Sequence, residues 1–413
     1  MPLRKLYHAK QIRALVFAQT TDFFMMINSG AKRTGKTIIN NDLFLKELRR
    51  VRKIADRLGI QLPQYILAGA DLGALNRNVL VELTNKYGIE FKFDKHNRFI
   101  LFGVQVCCFG HSKINDLNRI RGMTSFGAYV NEASLANQEV FDEIKSRCSG
   151  EGARILVDTN PADPMHWLKI DYIDKSDGKT IETFHYELDD NTFLSERYRE
   201  NIKKSTPSGM FYDRNIKGLW CTAEGAIYED FDKDKHYIKA STLDHINFVK
   251  YFAGVDWGWE HYGSIVLIGV DDKGDKYLIK EIAKKHKHIE YWLEEAKKII
   301  KEYGNISFYC DSARPDYVKK FRENKIKALN ARKDVVAGIS EVASLFKQRK
   351  LLVVEDNVDI FKTEIYNYVW KEGKDEPIKQ YDDVLDIKLS RINRGIKREG
   401  WNANPNRRLV LKH

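Results

Sequence analysis

A glycine-rich segment near the N-terminus has the residue types and spacing of a phosphate-binding loop. The segment Gly30–Thr37 reads GAKRTGKT, which fits GxxxxGK[ST] without a mismatch. It follows the apolar run Phe23–Ser29 and precedes a predicted helix that begins at about Lys36, the context that such a loop requires. Glycines let backbone N–H groups surround phosphates, helped by the positive end of the helix dipole.

This segment predicts a site for ATP and Mg²⁺. The Lys36 ammonium is expected to contact the β- and γ-phosphates, and the Thr37 hydroxyl to bind the metal ion. A chance GK[ST] on a turn is the alternative, and the full spacing and the correct flanks disfavour it. The loop residues predicted to contact the nucleotide are Gly30, Lys32, Arg33, Thr34, Gly35, Lys36 and Thr37.

A second segment supplies the acid that hydrolysis of a nucleotide requires. The run GAYVNEAS (127–134) is an apolar strand that ends in Asn131 and Glu132. Glu132 is predicted to activate the attacking water, although a glutamate that caps the following helix is the alternative. The usual residue at the position of Asn131 is aspartate. An amide orients a metal-bound water but brings no charge, so weaker binding of Mg²⁺ is expected.

Two further polar segments lie where they could reach the same phosphates. Arg121, within NRIRG, has the side chain of an arginine finger, which stabilises negative charge on a transferring phosphoryl group. From spacing alone, a solvated basic turn is the more common meaning of such a segment. Thr159 and Asn160 follow the next apolar strand at the ligand edge of the sheet. They could sense the γ-phosphate or form an ordinary Asx turn before proline, and both alternatives remain open.

Acidic residues in the second half of the chain predict a different metal site. Asp256 and Asp311 each end an apolar run, and Asp386 lies on an apparent helix. Carboxylates placed in this way can converge on two Mg²⁺ or Mn²⁺ ions about 4 Å apart, which cut a phosphodiester with water. Asp383 falls one helical turn before Asp386 and is a candidate fourth ligand. A single strand-end aspartate is more often a turn residue, and only the set of three favours a site.

The elements that would position these residues fall into two halves. Strand–helix alternation in the first half predicts a mostly parallel sheet with helices on both faces. A helix over Leu75–Tyr87 and a hairpin between Ile89 and Phe109 are part of this pattern. After a segment rich in glycine, aromatics and acids, three strands in a row are followed by alternating helices and strands, which is the order of an RNase H-like domain. Glu260 and His261 are interpreted as solvated loop residues.

The predicted fold is therefore α/β, with an N-terminal P-loop (ASCE-type) ATPase domain and a C-terminal RNase H-like nuclease domain. A helix through Asp386–Ile396 is predicted to close the second domain. The expected boundaries are 1–217 for the ATPase domain, 218–240 for a lid and linker, 241–397 for the nuclease domain and 398–413 for a basic tail.

Composition restricts the class of protein and its partners. The chain has 413 residues and a formal net charge of +11, a surplus that favours a polyanionic partner such as nucleic acid. No apolar run approaches the roughly 18 residues that cross a bilayer, and the first residues do not resemble a secretory signal. An odd number of cysteines without CxxC spacing predicts reduced intracellular thiols, namely Cys107, Cys108, Cys148, Cys221 and Cys310.

The order of these segments resembles the large subunit of phage terminases over nearly the whole chain. The stretches that carry the resemblance are Ala31–Thr37, Arg121-Gly122 with Gly127–Glu132, Asp158–Pro161 with His166-Trp167, Gly218–Phe231, and the acids Asp256, Asp311 and Asp386. Two departures from the family's pattern are Asn131, where aspartate is usual, and Asp383, where histidine is frequent. The resemblance implies weaker binding of Mg²⁺ with Asn131 and a different metal preference with Asp383.

The resemblance implies a motor that cuts concatemeric viral DNA and pumps double-stranded DNA into the procapsid at the expense of ATP. It implies an oligomeric ring on the portal protein, a small terminase subunit that selects the DNA, and Arg121 completing a neighbouring subunit's site. The expected location is the cytoplasm of the infected bacterial host. Three alternatives remain: a P-loop helicase or translocase without nuclease activity, an RNase H-like recombinase or resolvase, and a DNA-binding scaffold with inactive sites.

Overall fold

The computed structural model describes residues 3–331 and 334–378, and the chain divides into two compact units. Within the described residues, the first unit consists of 3–203 with 210–222, and the second of 204–209 with the residues from 223 onward. The predicted acids Asp383 and Asp386, the predicted final helix and the tail 398–413 lie outside the described residues.

A seven-stranded sheet forms the centre of the first unit. Its strands are β1 (Met25–Gly30), β2 (Gln64–Gly69), β3 (Arg98–Leu101), β4 (Val104–Gly110), β5 (Ser125–Val130), β6 (Arg154–Thr159) and β7 (Ile181–Tyr186). Their order is β3-β4-β2-β5-β6-β1-β7, and every neighbouring pair is parallel except β3 with β4. Strand β6 lies between β1 and β5. The mostly parallel sheet predicted from the sequence is confirmed.

Helices cover both faces of this sheet. They are α1 (Ala9–Thr20), α2 (Lys36–Arg57), α3 (Leu72–Leu75), α4 (Val81–Tyr87), α5 (Leu117–Ile120), α6 (Gln138–Arg147), α7 (Glu196–Ser205) and α8 (Met210–Tyr212). Phe44 of α2 packs in an apolar cluster with Leu67 and Leu156, and Phe141 of α6 packs with their strand neighbours on the opposite face. Because both faces are covered, the strands are nearly continuous apolar runs.

Two local predictions in this unit are corrected. The single helix expected over Leu75–Tyr87 is instead α3, a π-helical turn over Asn76–Leu80, and α4. The expected hairpin is present, but its first strand begins at Arg98. The segment before it is irregular, and its Ile89 and Phe91 side chains pack against the core. Strand β7 and helix α1 were not predicted.

The second unit contains another seven-stranded sheet. Its strands are β8 (Tyr237–Ile238), β9 (Phe248–Asp256), β10 (Gly263–Asp271), β11 (Lys276–Lys284), β12 (Ser307–Cys310), β13 (Lys327–Asn330) and β14 (Leu351–Val354). The order is β13-β12-β9-β10-β11-β14-β8. Strands β9, β10 and β11 are antiparallel, and β12 and β13 continue parallel to β9. This topology confirms the RNase H-like fold.

The remaining helices are α9 (Lys233–His236), α10 (Ile289–Tyr303), α11 (Pro315–Glu323), α12 (Val335–Lys347) and α13 (Ile360–Asn367). Trp292 of α10 and Phe321 of α11 pack with Phe308 of β12 in one buried cluster. In the described part of the chain no helix is both long and apolar enough to cross a bilayer. All five cysteines are free thiols.

The segment 218–240, predicted as lid and linker, is packed at both ends. In the first unit, the Trp220 indole N–H donates to the Ser29 hydroxyl at 2.9 Å. In the second unit, the Phe231 ring stacks on His236 and meets Phe346 edge-on. Strand β8 pairs with β14 at the end of the segment.

Candidate active sites

The phosphate-loop segment joins the end of β1 to the start of α2. Gly30 has φ of 151°, and a Cβ there would lie 2.0 Å from the carbonyl oxygen of Tyr186 on β7. Gly35 has φ of 85° and is the N-cap of α2. Only glycine adopts such angles at low cost, and the backbone of the loop therefore turns tightly around the N-terminus of a 22-residue helix.

Lys36 is a buried cation in the centre of this loop. Its ammonium donates to the carbonyl oxygens of Gly30, at 2.8 Å, and Ala31, and to the Asn160 side-chain oxygen at 3.3 Å. Burial lowers the pKa of Lys36 to about 8, and the nearby carboxylates of Asp158 and Glu132 oppose this shift. Among the described residues, no carboxylate forms an ion pair with Lys36. A buried cation held by neutral oxygens is suited to an anionic ligand such as a phosphate.

Asn131 lies beside the carboxylate of Asp158, because β5 and β6 are neighbours. The Asn131 amide donates to both Asp158 oxygens, at 2.9 and 3.1 Å. The Tyr129 hydroxyl donates to the same carboxylate at 2.6 Å, and the backbone N–H of Glu132 donates at 3.0 Å. Asp158 is only 2% exposed. A buried carboxylate is therefore held next to the position where the sequence has an amide.

Glu132 follows β5 and adopts a left-handed backbone conformation with φ of 56°. Burial and the neighbouring Asp158 raise the pKa of Glu132, while a hydrogen bond with the Asn78 side chain lowers it. Asn78 also donates to the Asn131 side-chain oxygen at 3.1 Å. Asn78 belongs to the π-helical turn and was not predicted. No spacing rule points to it, because its position depends on that irregular turn.

Helix α1, which the sequence pattern does not predict, supports the loop from the side. The His8 Nε2 atom lies 3.0 Å from the Thr34 carbonyl oxygen, and the Gln11 amide donates to the Gly35 carbonyl at 2.9 Å. Both side chains are buried. These contacts fix the backbone of the loop from a helix that precedes β1 in the chain.

The other predicted residues of this site have different surroundings. Thr159 accepts a hydrogen bond from the Ser134 backbone at 3.0 Å, so its hydroxyl holds a loop next to Glu132. Lys32 and Arg33 are exposed in the loop, and Thr37 is half-buried in the first turn of α2. Arg121 is exposed at the end of α5, and within the described residues its guanidinium pairs with no acid.

Two of the predicted nuclease acids lie side by side in the second unit. Asp256 ends β9, and Asp311 directly follows the parallel neighbour β12. The Asp311 N–H donates to the Val255 carbonyl at 3.0 Å, and the Trp257 indole donates to the Asp311 carbonyl at 2.9 Å. The described residues contain no cluster of three His, Cys, Asp or Glu that could hold a metal ion. Carboxylate oxygens are the ligands that Mg²⁺ and Mn²⁺ prefer, so the donor type fits these ions.

Comparison with known proteins identifies relatives of both units. Residues 61–233 match the family model described as terminase large subunit, T4likevirus-type, N-terminal. The large terminase of a thermophilic bacteriophage is similar in structure, with a TM-score of 0.79 and 27% sequence identity. The similarity covers 92% of this chain and 97% of that one. A search of curated proteins found no match.

The same relative has been solved with nucleotides. Its complex with ADP superposes with a TM-score of 0.77, and its complex with ATP-γ-S with a TM-score of 0.76. Both have 27% identity and cover 92% of this chain and 97% of theirs. The similarity therefore extends through the phosphate-loop unit and the RNase H-like unit together.

Proposed function

We propose that this chain, which the family match and the structural similarity support as a terminase large subunit, is a DNA-packaging motor with two catalytic sites. One site would hydrolyse ATP to move double-stranded DNA into the procapsid. The other would cut concatemeric DNA with divalent metal ions. The observation that carries the proposal is the presence of Lys36, Asp158 and Glu132 at one sheet edge and of Asp256 and Asp311 at another, on separate units of one chain.

In the ATPase site, Lys36 would exchange its carbonyl partners for the β- and γ-phosphate oxygens of ATP. Glu132 would accept the proton of the attacking water, since its raised pKa makes it a better base than an ordinary glutamate. Asp158 would supply the negative charge that Asn131 lacks, and Thr37 a hydroxyl oxygen. A bound Mg²⁺ would neutralise charge on the phosphates.

Asn160 and Thr159 are proposed to sense the γ-phosphate, since Asn160 already contacts the Lys36 ammonium. Arg121 is proposed to act on a neighbouring subunit, which is consistent with its exposed position at the end of α5. In that role its charge would stabilise the phosphoryl group during transfer.

In the nuclease site, Asp256 and Asp311 would bind metal together with Asp383 and Asp386. Two Mg²⁺ or Mn²⁺ ions would activate water and stabilise the leaving oxygen of the phosphodiester. Backbone hydrogen bonds between β9 and β12 hold the main chains of Asp256 and Asp311 beside each other, which favours a fixed spacing of the two residues.

The proposal extends to the partners and the division of the chain. Residues 1–217 would form the ATPase domain, 218–240 the lid and linker, 241–397 the nuclease domain and 398–413 a basic tail. The partners would be viral double-stranded DNA, a small terminase subunit, the portal protein and further copies of this chain in a ring. The motor would work in the cytoplasm of the infected bacterium.

The test separates the two activities in the purified full-length protein. We expect Asp311→Ala to lose Mn²⁺-dependent nicking and linearisation of plasmid while it keeps ATP hydrolysis. Glu132→Gln should lose hydrolysis, by about a hundredfold or more, and keep cutting. Nicking by Asp311→Ala at the wild-type rate would contradict the nuclease assignment, and unchanged hydrolysis by Glu132→Gln would contradict the ATPase assignment.

A further inference from the structure

A basic and aromatic surface lies next to Asp256 and Asp311. Strands β9 and β10 are antiparallel, and Ser264 at the start of β10 lies opposite Asp256 at the end of β9. Strands β10 and β11 are also antiparallel, and Gly263 lies opposite Lys284 at the end of β11. The β9–β10 loop and the residues after β11 therefore meet at the sheet edge that carries the acids. The tryptophan–lysine patch consists of Trp259, Lys284, Lys285, His286, Lys287 and His288.

Trp259 is held at this surface with 43% of its area exposed. Its ring centroid lies 4.8 Å from that of His288 and 5.6 Å from that of His286, and the His286 N–H donates to the Trp259 carbonyl at 3.1 Å. The two segments of the patch are thus joined through this residue. An exposed tryptophan held by rings and a backbone hydrogen bond offers a π-surface on which a base can stack with little loss of side-chain entropy.

The patch is strongly cationic. All three lysines are exposed, and none pairs with a carboxylate in the part of the chain that the structure describes. The Lys285 ammonium lies 4.8 Å from the ring centre of Tyr262, and that of Lys287 lies 5.3 Å from the ring centre of Tyr291. Glu290, the acid nearest in the sequence after the lysines, pairs with Lys320 at 2.6 Å. Helix α10 begins at Ile289, and its N-terminal dipole adds further positive potential.

This charge has a physical role beside two carboxylates. Asp256 and Asp311 repel the phosphates of an approaching strand until metal ions neutralise them. Unpaired lysines at the same edge offset that repulsion and attract the DNA backbone through release of counterions. Within the described residues the patch histidines belong to no cluster of three potential metal ligands.

We propose that the tryptophan–lysine patch binds an unpaired DNA strand beside the nuclease acids, with its phosphates on the lysines and a base stacked on Trp259. This inference rests on the proposed nuclease function and names the form of its substrate. Unpaired bases are specified because bases within a duplex are already stacked on each other and offer no free face. The strand would be one that separates where the duplex is cut.

The test measures affinity without cleavage. Full-length protein in EDTA is titrated into a fluorescein-labelled single strand of roughly 20 nucleotides and into the duplex of the same sequence, and anisotropy gives the Kd. We expect Trp259→Ala to weaken single-strand binding about tenfold and duplex binding less than about twofold. The double variant Lys285→Ser/Lys287→Ser should reduce the slope of log K against log salt for the single strand by about 1.4.

Matched controls lie in the same unit. Tyr366→Ala removes another exposed aromatic ring, and Lys297→Ser/Lys298→Ser removes the same charge from α10, so both should bind the single strand like the wild type. Wild-type affinity in Trp259→Ala, or an equal loss for duplex and single strand, would overturn the proposal.

The outcome is separable from that of the nuclease function. If the wild type does not cut plasmid but Trp259→Ala still weakens binding of the single strand, the nuclease function is rejected and the strand-binding surface is supported. Metal-dependent cutting with unchanged affinity in Trp259→Ala would keep the nuclease and reject the surface.

Discussion

At the scale of single residues, the buried carboxylate beside Asn131 in the proposed ATPase site is that of Asp158 on β6. Asp158 accepts hydrogen bonds from Asn131, Tyr129 and the Glu132 backbone, and is almost fully buried. A buried carboxylate is stable only when several donors satisfy it. The amide of Asn131 is one of these donors. We interpret the pair Asn131–Asp158 as an exchange of roles between adjacent strands, in which β6 carries the carboxylate and the residue after β5 carries the amide.

A charge swap tests this exchange. Asp158→Asn should weaken Mg²⁺-dependent binding of ATP-γ-S by about tenfold or more, because the site loses its charge near the metal. Asn131→Asp should bring two carboxylates within hydrogen-bond distance and destabilise the fold. The double variant Asn131→Asp/Asp158→Asn restores one amide and one carboxylate and should recover most of the affinity. The measurement is the Kd with and without Mg²⁺, and unchanged Mg²⁺ dependence in Asp158→Asn would refute the exchange.

Lys36 gives a second prediction, on stability. Its folded-state pKa of about 8 is below the ordinary 10.5, so between these pH values the unfolded chain binds more protons. The cost of burying the charge is therefore fully present below pH 8 and disappears as the pH rises toward 10.5. We expect Lys36→Met to raise the free energy of unfolding by about 1–2 kcal/mol at pH 7, and this gain to shrink with increasing pH. Urea denaturation at several pH values measures both effects.

The outcome that would contradict this prediction is a variant that is less stable than the wild type at pH 7, with a difference independent of pH. Such a result would mean that the hydrogen bonds from Lys36 to the loop carbonyls outweigh the cost of burial. Loss of ATP-γ-S binding in the same variant serves as the control that the phosphate site is affected.

At the scale of elements, the phosphate loop depends on β7 as well as on the strand that precedes it. Gly30 pairs with Tyr186 of β7, and the Ala31 N–H donates to the Tyr186 carbonyl at 2.9 Å. A strand far later in the chain thus holds the start of the loop. The absence of a side chain at position 30 is what permits this close approach.

Two glycine substitutions separate the cost of a steric clash with β7 from the cost of backbone strain alone. Gly30→Ala should cost about 3 kcal/mol or more of unfolding free energy, because its Cβ would meet the Tyr186 carbonyl. Gly88→Ala is the matched control: Gly88 has φ of 68° at the end of α4, and no atom lies within 4 Å of its added Cβ. It should cost only about 1 kcal/mol, the penalty of a left-handed conformation. Equal losses in chemical denaturation would show that the contact with β7 is unimportant.

At the scale of the whole molecule, two sheets of different topology place acids at strand ends in separate units. The mostly parallel sheet brings Asn131, Asp158 and the phosphate loop to one edge, since the carboxyl ends of parallel strands meet there. The mixed sheet brings Asp256 and Asp311 together because β12 is parallel to β9. The whole chain has 69 basic and 58 acidic residues, and its formal net charge of +11 favours a polyanionic substrate.

The sequence by itself determined the features that depend on short stretches of chain. The phosphate loop, the strands with acidic ends and the three consecutive antiparallel strands are all recognisable because their residues are contiguous or follow a local period. The two-domain α/β fold follows from the order of these stretches. Asn131 stood out as a departure for the same reason, since its position within the strand segment is local.

Only the tertiary structure decided which distant residues meet. Asp158 lies beside Asn131 because β6 is inserted next to β5, and strand order is not encoded in either segment alone. Asn78 reaches Glu132 through a π-helical turn inside an otherwise helical pattern. Trp259 joins the lysines after β11 because an antiparallel pairing brings two loops to one edge. The physical reason is that local propensity specifies elements, whereas packing of the apolar faces specifies their neighbours.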